Sequence, residues 1–397
     1  MKKEIKERIN AVRDKNIPVG YMETEAGVLP QDWKIATLGD IADEIVERAG
    51  TQSYETLSIS AGIGFVNQAQ KFGKELSGKQ YEKYTVLHNG DFSYNKGNSS
   101  KCPQGCIYRL NDRNVAAVPN VFESFRIKCG CEEYYEQLFS NGFLNRQLTR
   151  KINHGVRDDG LLNLTGKDFY SCFVPVPPIK EQEKIAKILF SCDESIRHKA
   201  KRLKEKKNHK KWLMQVLLQK KEYWQEKKLS DLASIETGNA DTKDRKENGE
   251  YPFFVRSANV EKIDTFSYDG EAILTPGDGN IGEIFHYIVG KFDFHQRVYK
   301  ISDFSDICCG KYIYYYLQQF FKRRAMSMTA KATVDSLRRD MLTDMNISLP
   351  SIEIQKNIAE ILSVADEQIA MCELELFYEK QKKKALSQLL LKGMVRV

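Results

Sequence analysis

The chain has 397 residues, of which 41% are hydrophobic and 29% charged, and its formal net charge at pH 7 is +7. This length accommodates two or three domains, and no apolar run reaches the ~18–20 residues that span a bilayer, so a membrane partner is not expected. Because the first residues, MKKEIKERINAVRDKN, lack the apolar core of a signal peptide, we expect a cytoplasmic protein.

Nine cysteines are distributed irregularly, and an odd number in a reducing compartment argues against a disulfide framework. Cys102, Cys106, Cys129 and Cys131 form C-x3-C and C-x-C spacings, which match poorly the paired C-x2-C of a zinc ribbon. We therefore expect free thiols and no metal.

Residues 1–32 form a charged segment with a helix predicted over 3–15, followed by a first body at 33–176. In this body short β-rich runs such as 84–87 and 122–127 alternate with Gly/Asn turns and an amphipathic helix predicted over 134–149. Intermingled strands and helices favour an α/β domain.

The next segment, 177–223, predicts a long helix that begins after a proline pair. Its apolar positions follow steps of four and three, the heptad spacing of a coiled-coil seam. The seam is apolar at its ends and polar in its middle, with Ile185, Leu189, Ile196, Leu203, Leu213 and Leu217 as its apolar members. Residues 197–228 carry thirteen Lys or Arg against three Glu, which favours a polyanionic partner over a merely solvated helix face.

A second body, 224–349, begins as the first does. Trp33-x4-Leu-Gly-Asp-Ile-Ala is matched by Trp224-x4-Leu-Ser-Asp-Leu-Ala at an offset of 191. Strands are predicted at 272–274 and 298–301, and a helix over 311–324. GDGNIG at 277–282 is followed by a strand-like run, so we interpret it as a turn between strands and not as a dinucleotide site.

The last segment, 350–397, repeats the first long helix. Residues 350–392 align without a gap to 177–219, with 18 of 43 positions identical. The corresponding apolar seam positions are Ile358, Leu362, Ile369, Leu376, Leu386 and Leu390. Because each helix alone would expose its stripe, we predict that the two helices pack on each other as a coiled coil, which joins and separates two α/β domains.

Basic and amide side chains cluster in loops and late in each body, and Arg, Lys and Asn are the residues that contact phosphates and base edges. As a set they predict a surface that binds duplex DNA, although any single one of them is better interpreted as an ordinary solvent-exposed residue. The candidates are Lys96, Asn98, Ser99, Lys101, Arg146, Arg150, Lys151, Asn153, His154, Arg157, Asn280, Lys322, Arg323, Arg324, Lys331, Thr333, Arg338 and Arg339.

Catalytic signatures are missing from the sequence. It contains no G-x4-G-K-[ST] phosphate loop, no Asn-Pro-Pro-aromatic signature of amino-methyltransferases and no histidine spacing typical of a metal site. We find no convincing nuclease carboxylate cluster, and predict neither catalytic residues nor a cofactor.

The signature P-x-P-P-x2-E-Q-x2-I-A-x2-L-x3-D-E-x-I at 175–196, its degenerate copy at 350–369 and the two tryptophan-led openings resemble the DNA-specificity (S) subunits of type I restriction–modification enzymes. The second copy departs from the signature, since Ile354 replaces Glu181 and Ser348 replaces Pro175. The resemblance covers nearly the whole chain.

The resemblance implies that each body is a target-recognition domain for one half of a split duplex DNA site. It also implies that the two helices lie antiparallel with pseudo-two-fold symmetry, set the gap between the half-sites and dock two modification (M) subunits. S-adenosylmethionine would bind to those subunits, and ATP with Mg²⁺ to restriction (R) subunits. Two alternatives stay open: a stand-alone DNA-modifying enzyme, which would bind S-adenosylmethionine or nick DNA by itself, and a coiled-coil interaction protein that binds no duplex.

Overall fold

The computed structural model describes residues 3–73, 78–97, 99–152, 162–328 and 336–397. The chain forms two compact units. Unit 1 comprises Met1–His198 and Phe377–Val397, and unit 2 comprises Lys199–Leu376. Each long helix therefore contributes one part to each unit.

The first half of the chain contains six short helices, twelve short strands and one long helix among its described residues. They are α1 (Lys3–Arg13), β1 (Tyr21–Thr24), β2 (Gly27–Pro30), β3 (Lys34–Thr37), α2 (Leu38–Ile41), β4 (Ala42–Glu44), β5 (Leu57–Ser60), β6 (Gly64–Asn67), α3 (Gln68–Phe72), β7 (Thr85–His88), β8 (Phe92–Asn95), β9 (Cys106–Arg109), β10 (Val115–Val118), β11 (Glu123–Ile127), α4 (Glu132–Ser140), α5 (Asn145–Lys151), α6 (Gly166–Tyr170), β12 (Phe173–Val176) and α7 (Ile179–Leu217).

The second half has fewer but longer strands, and it ends in the other long helix. Its elements are β13 (Gln225–Lys228), β14 (Ser234–Thr237), β15 (Tyr251–Phe254), β16 (Val260–Ile263), β17 (Tyr268–Pro276), β18 (His286–Phe294), β19 (Val298–Ser302), α8 (Gly310–Ser327), α9 (Arg339–Thr343), β20 (Asn346–Leu349) and α10 (Ile352–Leu390).

Both units are α/β, as predicted, but their sheets differ. Unit 1 has a four-stranded antiparallel sheet in the order β4-β11-β8-β9, with separate two-stranded pairs beside it. Unit 2 has one six-stranded sheet in the order β14-β19-β17-β18-β15-β16, in which only the β15–β18 pair is parallel. The two bodies are therefore built on different sheets.

The frame around each sheet is the same in both units. The strand that leads into each body pairs antiparallel with the strand that leaves it, β3 with β12 in unit 1 and β13 with β20 in unit 2. A long helix begins directly after each leaving strand. The repeated segments of the sequence therefore build this frame, and the unlike segments build what it encloses.

A buried glutamine in the first turns of each long helix joins the helix to its body. Gln182 Oε1 accepts the Cys131 N–H at 2.9 Å, and Gln355 Oε1 accepts the Cys309 N–H at 2.8 Å. These cysteines are the N-cap residues of α4 and α8. Each glutamine Nε2 also donates to the proline carbonyl before its own helix. The glutamine of the repeated signature thus anchors the main helix of each body.

The predicted apolar seam positions of both long helices are all buried or half-buried. On α7 the half-buried Lys199, Lys206 and Lys210 occupy the polar middle of the seam. The polar middle of the seam makes ion pairs. In unit 2 Lys210 Nζ lies 2.5 Å from Asp366 Oδ1, and in unit 1 Lys383 is paired with Asp193.

The prediction of one continuous helix over 134–149 is wrong, because the structure has two helices there, α4 and α5. Gly142 lies between them with φ +70°, a left-handed conformation that ends a helix. The predicted helix at 311–324 is confirmed as α8, and that at 3–15 as α1.

In unit 1, Arg8 Nη1 of α1 donates to the Met394 carbonyl, so the first helix contacts the C-terminal segment. No helix in the described ranges is long and apolar enough to cross a membrane.

The two leading tryptophans differ in their partners. Trp33 Nε1 donates to Glu181 Oε2 at 3.0 Å, and Arg396 binds the same carboxylate. Trp224 Nε1 is buried without a hydrogen-bond partner among the described residues, because Ile354 stands where Glu181 stands in the first copy. The degenerate position of the second signature therefore has a direct structural consequence.

We expect Glu181→Ile to lower the free energy of unfolding by about 1.5–3 kcal/mol, because Trp33 Nε1 and Arg396 lose a charged partner in a buried site. Urea unfolding followed by tryptophan fluorescence measures this. Ile354→Gln is the matched control: it offers Trp224 a neutral acceptor and should leave stability unchanged or raise it. A Glu181→Ile variant as stable as the parent chain would show that the Glu181 carboxylate does not stabilise the first unit.

Candidate nucleic-acid interface

The loop between the two central strands of unit 2 organises the basic residues of that unit. Residues 277–285 join β17 to β18 with no helix between them, which confirms that GDGNIG is a turn between strands. The Gly277 N–H donates to the Arg297 carbonyl at 2.7 Å, and the Gly277 carbonyl accepts the Leu337 N–H at 2.7 Å. The loop is thereby tied to two segments that are distant in sequence.

Asp278 in this loop holds two arginines. Its Oδ2 lies 3.1 Å from Arg256 Nη1 and 3.2 Å from Arg297 Nη1. Burial acts to raise the pKa of Asp278, but the hydrogen bonds and charges of both arginines hold that pKa below its usual value. The carboxylate therefore stays ionised at neutral pH. Neither arginine was among the residues that the sequence indicated, because only the fold brings them to this loop.

The same loop contacts α8. A side chain added at Gly282 would come 2.8 Å from the Lys322 Cα, and Lys322 is ion-paired with Glu283. Asn280 at the tip is exposed. The candidates Lys322 and Asn280 are thus brought together with Arg256 and Arg297.

In unit 1 the described residues 96–97 and 99–105 lie between β8 and β9. The Lys96 carbonyl accepts the Leu162 N–H at 3.0 Å, and the Lys96 ammonium is ion-paired with Glu123. Ser99 Oγ accepts the Cys102 N–H, and Lys101 is exposed. Lys96 and Ser99 therefore shape the loop, whereas Lys101 can reach a ligand.

On α5, Arg146 and Arg150 are exposed and have no ion-pair partner in the part of unit 1 that the structure describes. Lys151 instead donates to Ser171 Oγ at 2.7 Å. Two of the three basic candidates on this helix are therefore available to an anionic ligand.

The arginines late in unit 2 divide in the same way. Arg323 and Arg338 are exposed, and among the described residues Arg338 forms an ion pair with Asp340 at the long distance of 3.7 Å. Arg324 donates to the carbonyls of Met341 and Asp344, and Arg339 donates to the Ile235 carbonyl. The last two brace the backbone. The candidates Asn98, Asn153, His154, Arg157, Lys331 and Thr333 lie outside the described residues.

The basic stretch of α7 has anionic partners within unit 2. Lys199, Lys207 and Lys210 are ion-paired with acids of α10 at 3.0, 2.6 and 2.5 Å; the acids are Glu375, Glu373 and Asp366. Part of the positive excess is therefore neutralised by the second helix, and this excess does not by itself require a polyanionic ligand.

The side chains that could serve catalysis have ordinary surroundings. Burial lowers the pKa of His286 and of His295, and the charge of Arg256 lowers that of His295 further, so both rings are neutral at pH 7. All nine cysteines are free thiols. Across the described ranges no group of three or more His, Cys, Asp or Glu side chains is placed to hold a metal ion.

The sequence matches the family described as the type I restriction modification DNA specificity domain over residues 30–207 and 221–376. It is 30% identical to the EcoDI type I restriction enzyme specificity subunit of Escherichia coli, over 35% of this chain but only 30% of that relative. It is 23% identical to the putative MjaX specificity subunit of Methanocaldococcus jannaschii, over 95% of this chain and 97% of the relative.

Two solved structures share the fold. The S subunit of a type I restriction–modification system from M. genitalium gives a TM-score of 0.61 at 14% identity, covering 90% of this chain and 96% of that chain. A chain from work on complex assembly and conformational transition of the type I system gives 0.56 at 16% identity, covering 92% and 99%.

Proposed function

The chain belongs to the type I restriction–modification DNA specificity family, and we propose that it confers sequence specificity on such a complex by recognising a bipartite duplex DNA site, one half with each body. The observation that carries the proposal is the repeated frame. The same strand pair and the same glutamine anchor enclose two different sheets. A protein that reads two unlike half-sites needs this combination of a constant support and variable contents.

The two bodies of the proposal are target-recognition domains at 33–176 and 224–349, and 177–223 and 350–397 are the helices that support them. We assign DNA contacts to the exposed candidates whose side chains do not hydrogen-bond to the backbone. These are Lys101, Arg146, Arg150, Asn280, Lys322, Arg323 and Arg338. Lys96 and Lys151 are half-buried and paired within unit 1, and Arg324 and Arg339 donate to backbone carbonyls, so these four are assigned to positioning the surface.

The two long helices are proposed to pack as an antiparallel coiled coil with pseudo-two-fold symmetry. Lys199 pairs with Glu375 and Lys210 with Asp366, so rising numbers on α7 meet falling numbers on α10. Applying the repeat offset of 173 to the Lys210–Asp366 pair and exchanging the helices gives Lys383–Asp193, which is the ion pair of unit 1. In a two-fold arrangement, a contact from residue i of one helix to residue j of the other is repeated with the two helices interchanged, so this recurrence supports the proposal.

Adenine methylation and cleavage are assigned to partner subunits. The chain is a non-catalytic specificity subunit, and its family needs no cofactor of its own. We propose that two modification subunits, which use S-adenosylmethionine, and restriction subunits, which use ATP and Mg²⁺, assemble with it in the cytoplasm. The ion pair that recurs in both units supports two equivalent modification subunits.

The decisive experiment is to express the full chain with the modification subunit of its own system, in a host without other adenine methylation, and to map the methylated adenines. A bipartite motif with an unread gap, absent when this chain is omitted, is expected. Methylation that does not depend on the chain would overturn the proposal. S-adenosylmethionine binding or nicking by the chain alone would favour an enzyme instead.

Replacing exposed arginines in one body should weaken one half-site only. We expect Arg146→Ala with Arg150→Ala, and separately Arg323→Ala with Arg338→Ala, to reduce duplex affinity and to lower the salt slope by about 1 for each phosphate that is no longer bound. Fluorescence anisotropy on duplexes with one half-site scrambled measures this. Lys6→Ala with Arg13→Ala on α1 is the matched control. Equal weakening at both half-sites would count against separate readers.

If the two long helices set the number of unread base pairs between the half-sites, lengthening both helices should increase that number. Seven residues inserted after Lys204 and seven after Met371 add ~10 Å of helix, or about three base pairs at ~3.4 Å each. The mapped motif should keep both half-sites and gain that spacing. Insertion into α7 alone is the control, and it should abolish methylation because the seams no longer match. An unchanged gap in the double insertion would mean that the helices are not the ruler.

A further inference from the structure

We propose that Arg256 and Arg297 read guanine in the half-site bound by unit 2, and that Asp278 is the residue that positions both. This inference rests on the proposed function and specifies which bases one body selects. It is carried by a cluster of three residues that are remote in sequence and meet at the loop joining β17 to β18.

The geometry leaves most of each guanidinium available. Arg256 and Arg297 each use their own Nη1 atom to contact the same Asp278 Oδ2. Each therefore keeps Nε and Nη2 for another acceptor. The Arg256 and Arg297 side chains are 46% and 64% exposed, whereas Asp278 is 22% exposed. The carboxylate is therefore less accessible to a ligand than either guanidinium group.

The backbone under Arg297 is rigid. Its N–H donates to His295 Nδ1 at 3.0 Å, and its carbonyl accepts the Gly277 N–H. A Cβ at Gly277 would lie 2.9 Å from that carbonyl oxygen, so glycine permits the close approach. His295 is itself buried and neutral, as its lowered pKa indicates. Arg297 is therefore displayed from a fixed point of the sheet.

Arg256 is held from the neighbouring strand. It follows β15, which pairs in parallel with β18. The next residue, Ser257, offers its carbonyl to His286 Nε2 at 3.3 Å, and His286 begins β18. Both arginines thus stand at ends of paired strands, where the entropy lost on binding a ligand is small.

The charge of the cluster favours a base edge over a phosphate. An ionised Asp278 within 3.2 Å of both guanidinium groups would repel a phosphate brought to the same donors. Guanine presents two neutral acceptors, O6 and N7, in the major groove, and their spacing matches two N–H donors of one arginine.

The test uses the full chain with its modification subunit and the mapped motif. The parent complex should require at least one guanine in one half-site. Arg256→Lys and Arg297→Lys keep the charge but remove the planar pair of donors, so each should reduce the preference for guanine over adenine by roughly 5- to 150-fold. Replacement of that guanine by 7-deazaguanine should weaken the parent complex and affect the lysine variants less.

Two further variants complete the design. Asp278→Asn frees both arginines, and should relax base preference while raising affinity for unrelated duplex, since a negative charge is removed. Arg245→Lys is the matched control, because Arg245 is an exposed arginine of the same unit, paired with Glu261 at 3.6 Å. It should leave the motif unchanged. Thermal unfolding of each variant establishes that it is folded.

The outcomes are distinct. A parent motif without guanine in either half-site overturns the inference, and so do lysine variants with unchanged base preference. Equal weakening on all sequences with a smaller salt slope would assign the arginines to phosphates and also overturn it. In each of these cases the bipartite motif still depends on the chain, so the proposed function stands. If no motif depends on the chain, the proposed function fails and this inference fails with it.

Discussion

One aspartate in each long helix joins that helix to two other elements, and the frame of each unit depends on it. Asp193 accepts hydrogen bonds from Gln137 of α4 and from Lys383, and Asp366 accepts them from Tyr315 of α8 and from Lys210. Each carboxylate thus contacts its body and the other long helix at the same time. Helix pairing and attachment of the body are therefore coupled at a single group in each unit. This coupling explains why Asp-Glu-x-Ile occurs at the same place in both copies of the repeat.

The rest of the shared frame uses paired contacts of the same kind in both units. Tyr134 and Tyr312 each lie three residues after the N-cap cysteine of α4 or α8. The Tyr134 hydroxyl donates to the Pro175 carbonyl, and the Tyr312 hydroxyl donates to the Ser348 carbonyl. These two carbonyls occupy equivalent positions of the leaving strands. Replacement of proline by serine is tolerated there because the bond uses the backbone. Replacement of Glu181 by Ile354 is not equivalent, since that contact used the side chain, and Trp224 Nε1 is left unpaired among the described residues.

Charge is distributed between the helices and the bodies for different purposes. Three lysines of α7 are paired with acids of α10, so part of the charge run contributes to helix pairing. The bodies instead keep exposed arginines on α5 in unit 1 and around the loop of residues 277–283 in unit 2. Several arginines and lysines next to these are engaged with backbone or side-chain acceptors, so a basic residue in the sequence is not in itself a ligand contact. We infer that DNA is met by a small set of braced, exposed cations in each body.

The sequence alone determined the two long helices, their heptad seams, the repeated openings and the α/β character of both bodies. These features depend on local periodicity and on identity at a constant offset, which can be counted along the chain. Strand order, the division of the predicted helix at Gly142, and the meeting of Arg256, Asp278 and Arg297 were decided only by the tertiary structure. The helix is divided where Gly142 takes a left-handed conformation, whereas strand order and the arginine–aspartate cluster depend on which strands become neighbours in the sheet. That choice comes from packing summed over the whole body, and the spacing of residues along the chain carries little record of it.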